Sequence, residues 1–221
     1  MVKALIAVRS GSERVKNKNI RPFAGSSLLE IKIKQLSRVA CIDGIVVNSN
    51  DPEMLAVARA LNCETVLREQ IYADAKTSMS DVYVNMAENF NADIVAYCNV
   101  TNPLIEDSSI EKAISLYREQ KIAHTSINTA HLIKEFMYLN GRALNYDPIH
   151  QPRSQDLPNI FALNFAVNVL SRLDMIKFKN IITPNHLLLP VTEAESIDID
   201  SELDFSVAEF LYERKIEGYL C

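Results

Sequence analysis

The stretch Ala4-Leu-Ile-Ala-Val-Arg-Ser-Gly-Ser-Glu-Arg-Val-Lys-Asn-Lys-Asn-Ile20 decides the fold. Ala4 to Val8 is a short apolar run of the kind that makes a strand buried on both faces. It stops at Arg9, and the next residues gather Arg9, Arg14, Lys16, Lys18 and Arg21 against one acid, Glu13. Ser10, Gly11 and Ser12 are small enough for their backbone N–H groups to approach an anion closely. A buried strand opening into a small-residue, cationic loop is how an α/β protein builds a polyphosphate site at the carboxyl end of its sheet. A solvated basic loop is the competing reading. It would have to explain why cations are concentrated here on a chain of net charge -5. Neither G-x-x-x-x-G-K-[ST] nor G-x-G-x-x-G occurs in the loop, so P-loop and dinucleotide-binding readings have no support.

Outward from this stretch, helical and strand patterns alternate. Leu29, Ile33, Leu36 and Ala40 predict a helix over about 27–40. Strands are expected at 44–49, 64–67 and 93–98. Asp51-Pro52 starts a helix between the first two, with Asp as cap and Pro in the first turn. A helix from about Ser80 carries Val82, Met86 and Phe90, and another carries Ile110, Ile114 and Tyr117. This β-α-β-α order is the signature of an α/β protein with a mostly parallel sheet. The alternation lapses after Ser126, and 131–160 reads as irregular, with Gly141, Pro148, Pro152 and Pro158. An excursion this long inside a compact domain is usually functional. A strand at 161–170, a helix at 172–178 and a strand at 186–191 come next. A last strand is expected at 195–200, then a helix with Leu203, Val207, Phe210 and Leu211 inward.

At 221 residues the chain is long enough for one domain with a sizeable core. Its acidic balance argues against general nucleic-acid binding. It has no apolar run of membrane length and no signal peptide, so a cytoplasmic protein is expected. Cys41, Cys63, Cys98 and Cys221 are scattered without C-x-x-C and read as reduced thiols. His124, His131, His150 and His186 lack metal-ligand spacing.

Two further segments could carry chemistry. Asp198 and Asp200 alternate with Ile197 and Ile199, so on a strand both carboxylates share one face. Paired carboxylates suit Mg²⁺, which takes one or two of them plus phosphate oxygens and water. The alternative is that Asp200 or Ser201 caps the final helix, with Asp204 in its first turn. Asn99-Val-Thr-Asn-Pro-Leu104 ends an expected central strand, where α/β ligands bind, or is a plain turn.

Several of these segments, in the same order, resemble the acylneuraminate cytidylyltransferases, or CMP-sialic acid synthetases, which activate sugar acids with CTP. Arg9-Ser-Gly-Ser12, Lys18-Asn19-Ile20-Arg21-Pro22, Gly25 and Leu28-Leu29 resemble that family's opening motif. Ser196-Ile-Asp-Ile-Asp200-x-Glu202-x-Asp204 resembles its closing motif, whose aspartates hold the catalytic magnesium. Asn99 to Leu104 resembles its Gln-Pro-Thr-Ser-Pro-Leu, with Asn99 in place of glutamine and Ile105 in place of an arginine. Arg68 matches an arginine beside the nucleotide and Ser78 a serine near the cytidine. Lys134 and Gln151-Pro-Arg153-x-Gln155 match positions that meet the sugar acid. Asn164-Phe-Ala166 resembles Asn-Gly-Ala, with Phe165 for the glycine and Asn168 for the usual tyrosine. Ile181 and Ile182 fall where sialate-activating members carry pocket aromatics.

The resemblance implies a Rossmann-like nucleotidyltransferase fold of the nucleotide-diphospho-sugar transferase type. It implies one domain over 1–221, with a protruding subdomain at about 128–162 that pairs two chains. The expected partners are CTP, a sugar acid and a second copy, with neither nucleic acid nor membrane. The expected reaction joins the anomeric hydroxyl of the acid to the α-phosphorus of CTP, giving the CMP-sugar and pyrophosphate. By the same match Ser10, Gly11 and Ser12 cradle phosphates, while Arg9 and Lys18 neutralise their charge. Asn19, Arg68 and Ser78 hold the nucleotide. Asn99, Thr101, Lys134, Arg153 and Asn164 meet the sugar. Mg²⁺, the expected cofactor, sits on Asp200 with Asp198 in support. The departures cluster near the sugar and point to a 2-keto acid other than sialic acid. A sugar-1-phosphate nucleotidyltransferase, a GT-A-like glycosyltransferase and a non-catalytic nucleotide binder stay open as alternatives.

Overall fold

The computed structural model describes residues 1–11, 14–74 and 76–218. Strand β1 (Val2–Ala7) turns its side chains alternately into two apolar layers. Ala4 and Ile6 face one core and Leu5 the other, which is why the run is apolar without alternation. A small hairpin, β2 (Pro22–Phe23) and β3 (Ser26–Ser27), precedes α1 (Leu28–Leu36), whose Ser27 cap accepts the Glu30 N–H. Then come β4 (Gly44–Ser49), α2 (Pro52–Ala60) capped by Asp51, and β5 (Glu64–Leu67). After a 3₁₀ turn at Gln70–Ala73, α3 (Met79–Glu88) leads to β6 (Ile94–Cys98) and α4 (Asp107–Glu119).

The second half begins with β7 (Thr125–Ile133) and the hairpin β8 (Tyr138–Leu139) and β9 (Arg142–Ala143). It closes with β10 (Ile160–Ser171), α5 (Arg172–Phe178), β11 (Asn185–Pro190) and α6 (Glu202–Ile216). Seven strands form one sheet in the order β11-β7-β10-β6-β1-β4-β5. Only β10 runs against its neighbours, pairing antiparallel with β6 and β7. Helices α1, α2, α4 and α6 pack on one face and α3 and α5 on the other. The chain leaves β1 towards β4 and β5, then returns to the far side of β1 as β6. The carboxyl ends of β1 and β6 therefore flank a topological switch point, where α/β sheets bind ligands.

Three expectations need correction. Residues 125–133 are a nine-residue strand paired on both sides, not the start of an irregular stretch. Its polar residues hid it: Ser126, Asn128 and Thr129 are fully buried, Ser126 Oγ donating to Asn128 Oδ1, Asn128 Nδ2 to Asn168 Oδ1 and Thr129 Oγ1 to Asn164 Oδ1. The excursion proper is 134–159, an arm exposing Tyr138, Leu139, Leu144 and Ile149. Residues 195–200 are not a strand. Ala194–Ser196 is a 3₁₀ turn, and two isolated bonds tether the residues after it: Ile199 N–H to the Thr101 carbonyl at 3.0 Å and Asn102 Nδ2 to the Ile197 carbonyl at 3.1 Å. Finally, α6 buries Phe205 and Ala208, while Leu203, Val207 and Phe210 face outward. Both stripes are apolar at helical spacing, and the edge-to-face contact of Phe205 with Phe23 (5.3 Å between centroids) selects the inner one.

Candidate active site

The loop after β1 is held at several points. Arg9 Nη1 donates to the Ala73 carbonyl at 2.8 Å, which fixes the guanidinium across the mouth of the β1 end. Asn19 is buried, and its Nδ2 donates to the Arg9 carbonyl at 3.2 Å, so it shapes the loop from below. Gly11 has φ +78° with open space around it, a conformation that glycine adopts without strain. The Ser10 N–H is engaged by Asn50 Oδ1 at 3.1 Å, and Asn50 Nδ2 donates back to Ser10 Oγ at 3.0 Å. Asn50, just past β4, is thus a loop-positioning residue that no motif announced. Ser12 lies outside the described residues.

Lys18 reaches from this loop to the last segment of the chain, donating to the Ile199 carbonyl at 2.6 Å. Burial lowers its pKa, while the Asp198 and Asp200 carboxylates beside it pull the other way. Arg14 Nη2 pairs with Asp200 at 2.8 Å. Asp198 sits deeper. Burial pushes its pKa up, and the Asp200 charge adds to this against the Thr101 hydroxyl and the Lys18 ammonium. Its Oδ1 is buried with no hydrogen-bond partner among the described residues. The helix-cap role falls to the neighbours: Ser201 Oγ accepts the Asp204 N–H, and Asp204 reaches back to the Ser201 and Asp200 N–H groups. Capping therefore leaves both aspartate carboxylates available.

Beside Arg9 lies a cleft of about 360 Å³ lined by Arg68, Tyr72, Asp74, Met86 and Tyr97 among others. Arg68 is buried, and its Nε and Nη2 hold the Asn48 side chain and carbonyl. Burial lowers its pKa. Tyr97, the β6 residue that walls the cleft, was not foreseen. Ser78 is less central than expected, because its hydroxyl caps α3 through Asp81 and Thr77 and Met79 line the cleft in its place.

Across β6, the Asn99 N–H donates to the Ala166 carbonyl at 3.2 Å, so Asn99, Thr101 and the Asn164–Ala166 bulge of β10 meet at one edge. Asn164 Oδ1 accepts from the Thr129 hydroxyl at 2.6 Å, while its buried Nδ2 has no partner among the described residues. Phe165 has φ +55°, the left-handed region. That conformation explains why a glycine suits this place and why phenylalanine is strained there. Asn168 is wholly buried and donates to the Phe165 carbonyl at 3.2 Å. Ile181 is core, 1% exposed.

Lys134 lies apart, its ammonium on the Leu157 carbonyl at the root of the arm. Arg153 is not brought to the cluster at all. It stands exposed on the arm, bound to Asp156 at 2.8 and 3.3 Å.

An α/β sheet that gathers a cationic loop and two carboxylates at its switch point defines a nucleotidyltransferase-type scaffold. The chain belongs to the cytidylyltransferase family, whose model matches residues 3–216, and it is a nucleotidyltransferase. Among its relatives, post-translational flagellin modification protein B of Campylobacter coli is 23% identical over 95% of this chain and 94% of its own. The CMP-N,N'-diacetyllegionaminic acid synthase of Campylobacter jejuni is 24% identical over 95% and 94%. The pseudaminic acid cytidylyltransferase of the same species is 24% identical over 94% and 94%. A solved CMP:2-keto-3-deoxy-manno-octonic acid synthetase complexed with CTP superposes with a TM-score of 0.71. It is 17% identical and covers 97% of this chain and 99% of that one, a likeness of fold.

Proposed function

We propose that the chain transfers a cytidylyl group from CTP to the anomeric hydroxyl of a nonulosonic or related 2-keto sugar acid, releasing pyrophosphate. The observation that carries the reading is the meeting of Lys18 and Arg14 with Ile199 and Asp200, contacts at 2.6 and 2.8 Å between opposite ends of the chain. The names of the relatives support the acceptor class, since they act on legionaminic and pseudaminic acids.

The Asp198 and Asp200 pair suits Mg²⁺. Asp198 presents a buried Oδ1 without a partner among the described residues, beside a second carboxylate close enough to raise its pKa. No third acid, histidine or cysteine joins them among the described residues, which leaves the other positions to phosphate and water, as Mg²⁺ prefers. Bound there, Mg²⁺ supplies neutralisation of charge on the α-phosphate and the departing pyrophosphate.

The chain's own groups do the rest. The cleft beside Arg9 and Arg68 takes the nucleoside, and Arg9 and Lys18 hold triphosphate charge. Asn99, Thr101 and the Asn164 Nδ2, which has no partner among the described residues, orient the acceptor. Its hydroxyl oxygen bonds to the α-phosphorus and gives up its proton to solvent, while the bond from the α-phosphorus to the bridging oxygen breaks and pyrophosphate leaves with that oxygen. Two copies pair through the arm, whose apolar side chains are exposed, in a cytoplasmic homodimer. Pyrophosphate release measured with each nucleoside triphosphate against a panel of 2-keto sugar acids tests this. Release is expected with CTP and at least one nonulosonic acid. Equal rates with ATP, or no release with any acid, would overturn the reading.

A further inference from the structure

Lys32 is a fully buried lysine that cytidylyl transfer does not use. It lies on α1, 0% exposed. Its ammonium donates to Gln35 Oε1 at 2.8 Å and to the Asn102 carbonyl at 3.1 Å. It forms no ion pair among the described residues, and the charged or titratable groups facing it are Cys98 on β6, Lys215 on α6 and Asp107 on α4. A buried ammonium without a carboxylate is costly, and an apolar side chain would fill the same space at less cost. The position of the carbonyl it grips accounts for it. Asn102 is itself wholly buried and donates to the Ile197 carbonyl, while the adjoining Thr101 carbonyl accepts the Ile199 N–H. These two bonds straddle Asp198. The link from Lys32 to Asp198 therefore runs through the backbone of Thr101 and Asn102.

We propose that Lys32 is a positioning residue: from beneath, it fixes the Asn102 carbonyl, and the Thr101-Asn102 segment so held clamps residues 197–199, so that Asp198 and Asp200 keep the spacing a divalent cation needs. This rests on the metal reading of the two aspartates, and the test separates the two ideas.

Lys32→Met keeps the volume and removes the donor. In the metal-free protein, the Ile199 amide should exchange its hydrogen faster than in wild type while the strands of the central sheet keep their protection. Mn²⁺ binding in the presence of CTP, followed by paramagnetic resonance, should weaken by about tenfold to a hundredfold, the range for a supporting residue behind a metal ligand. kcat should fall with it, with little change in the KM for CTP. Should Lys32→Met not fold, Lys32→Leu, which also lacks a donor, carries the same comparison. Unchanged Ile199 exchange together with wild-type Mn²⁺ affinity would overturn the proposal. Asp200→Asn is the control: if that variant also binds Mn²⁺ as wild type does, the metal reading fails, and the exchange result alone decides whether Lys32 braces the segment.

Discussion

Asp198 and Asp200 are two residues apart and live in different media. Asp198 is held half-buried under Thr101, where burial and its neighbour's charge raise its pKa, while Asp200 stands at the surface against Arg14. Removing the outer charge should therefore cost the chemistry and not the fold. Asp200→Asn is expected to keep the wild-type circular dichroism and melting temperature, since an exposed pair contributes about 0–1 kcal/mol. Its turnover should drop by roughly two to three orders of magnitude, as when one stabilising group at a developing charge is lost. Wild-type turnover with an unaltered magnesium requirement would remove Asp200 from the site. Lys32 poses the opposite case, a residue whose charge burdens the fold. Burial lowers its pKa from 10.5 to about 8. Between those values the unfolded chain binds the extra proton, so stability rises with pH across that window and the burden is complete below about pH 8. The full rise is on the order of 3 kcal/mol. The difference in unfolding free energy between wild type and Lys32→Met, followed from pH 7 to 10.5, should show that rise. A flat difference would mean that the ammonium is not desolvated.

At the scale of elements, apolar periodicity announced most of the sheet and its helices, because burial on two faces leaves a plain mark on β1, β4 and β6. It could not announce β7, which is buried on both faces and carries hydrogen-bonded Ser126 and Asn128 on one and Thr129 on the other. Nor could it choose between the two apolar stripes of α6, which differ only in whether Phe23 waits opposite. In the site, residue type revealed the cations of the first loop and the two aspartates. It did not reveal Asn50, Asn102 or Lys32, single polar residues whose work appears only once the chain folds over them. The turn into α6 shows how closely the two levels are joined. Ser201 and Asp204 form a reciprocal cap, and Asp204 also receives the Asp200 N–H at 3.1 Å. Ser201→Ala should destabilise the protein by about 1 kcal/mol, the usual worth of such a cap. It should also weaken Mg²⁺ activation, because Asp200 loses part of its backbone anchorage. Loss of stability with an unchanged magnesium dependence would show that the cap serves the helix alone.

On the scale of the molecule, the sheet gathers most of the described candidate residues, and Ser78 and those on the arm stand apart from them. Arg9, Lys18, Asn99, Thr101, Asn164, Asp198 and Asp200 converge from four segments onto one edge, whereas Arg153 stands on the arm with its guanidinium on Asp156. A guanidinium is well suited to a sugar carboxylate, but within one chain this one is exposed and engaged with Asp156. If the exposed Tyr138, Leu139, Leu144 and Ile149 pair two copies, Arg153 of the partner subunit can serve the cleft instead. Subunit mixing decides this. Asp200→Asn should disable its own chain's cleft, and Arg153→Ala should disable whichever cleft that side chain serves. In a mixed dimer with service across the interface, the cleft with an intact Asp200 also receives an intact Arg153. An equal mixture of the two weak variants, exchanged to equilibrium, should then recover about a quarter of wild-type turnover, since half the dimers are mixed and one of their two sites is whole. If Arg153 serves its own chain, each cleft in the mixed dimer lacks one group and no activity returns. A monomer by sedimentation at working concentration would dispose of the pairing altogether.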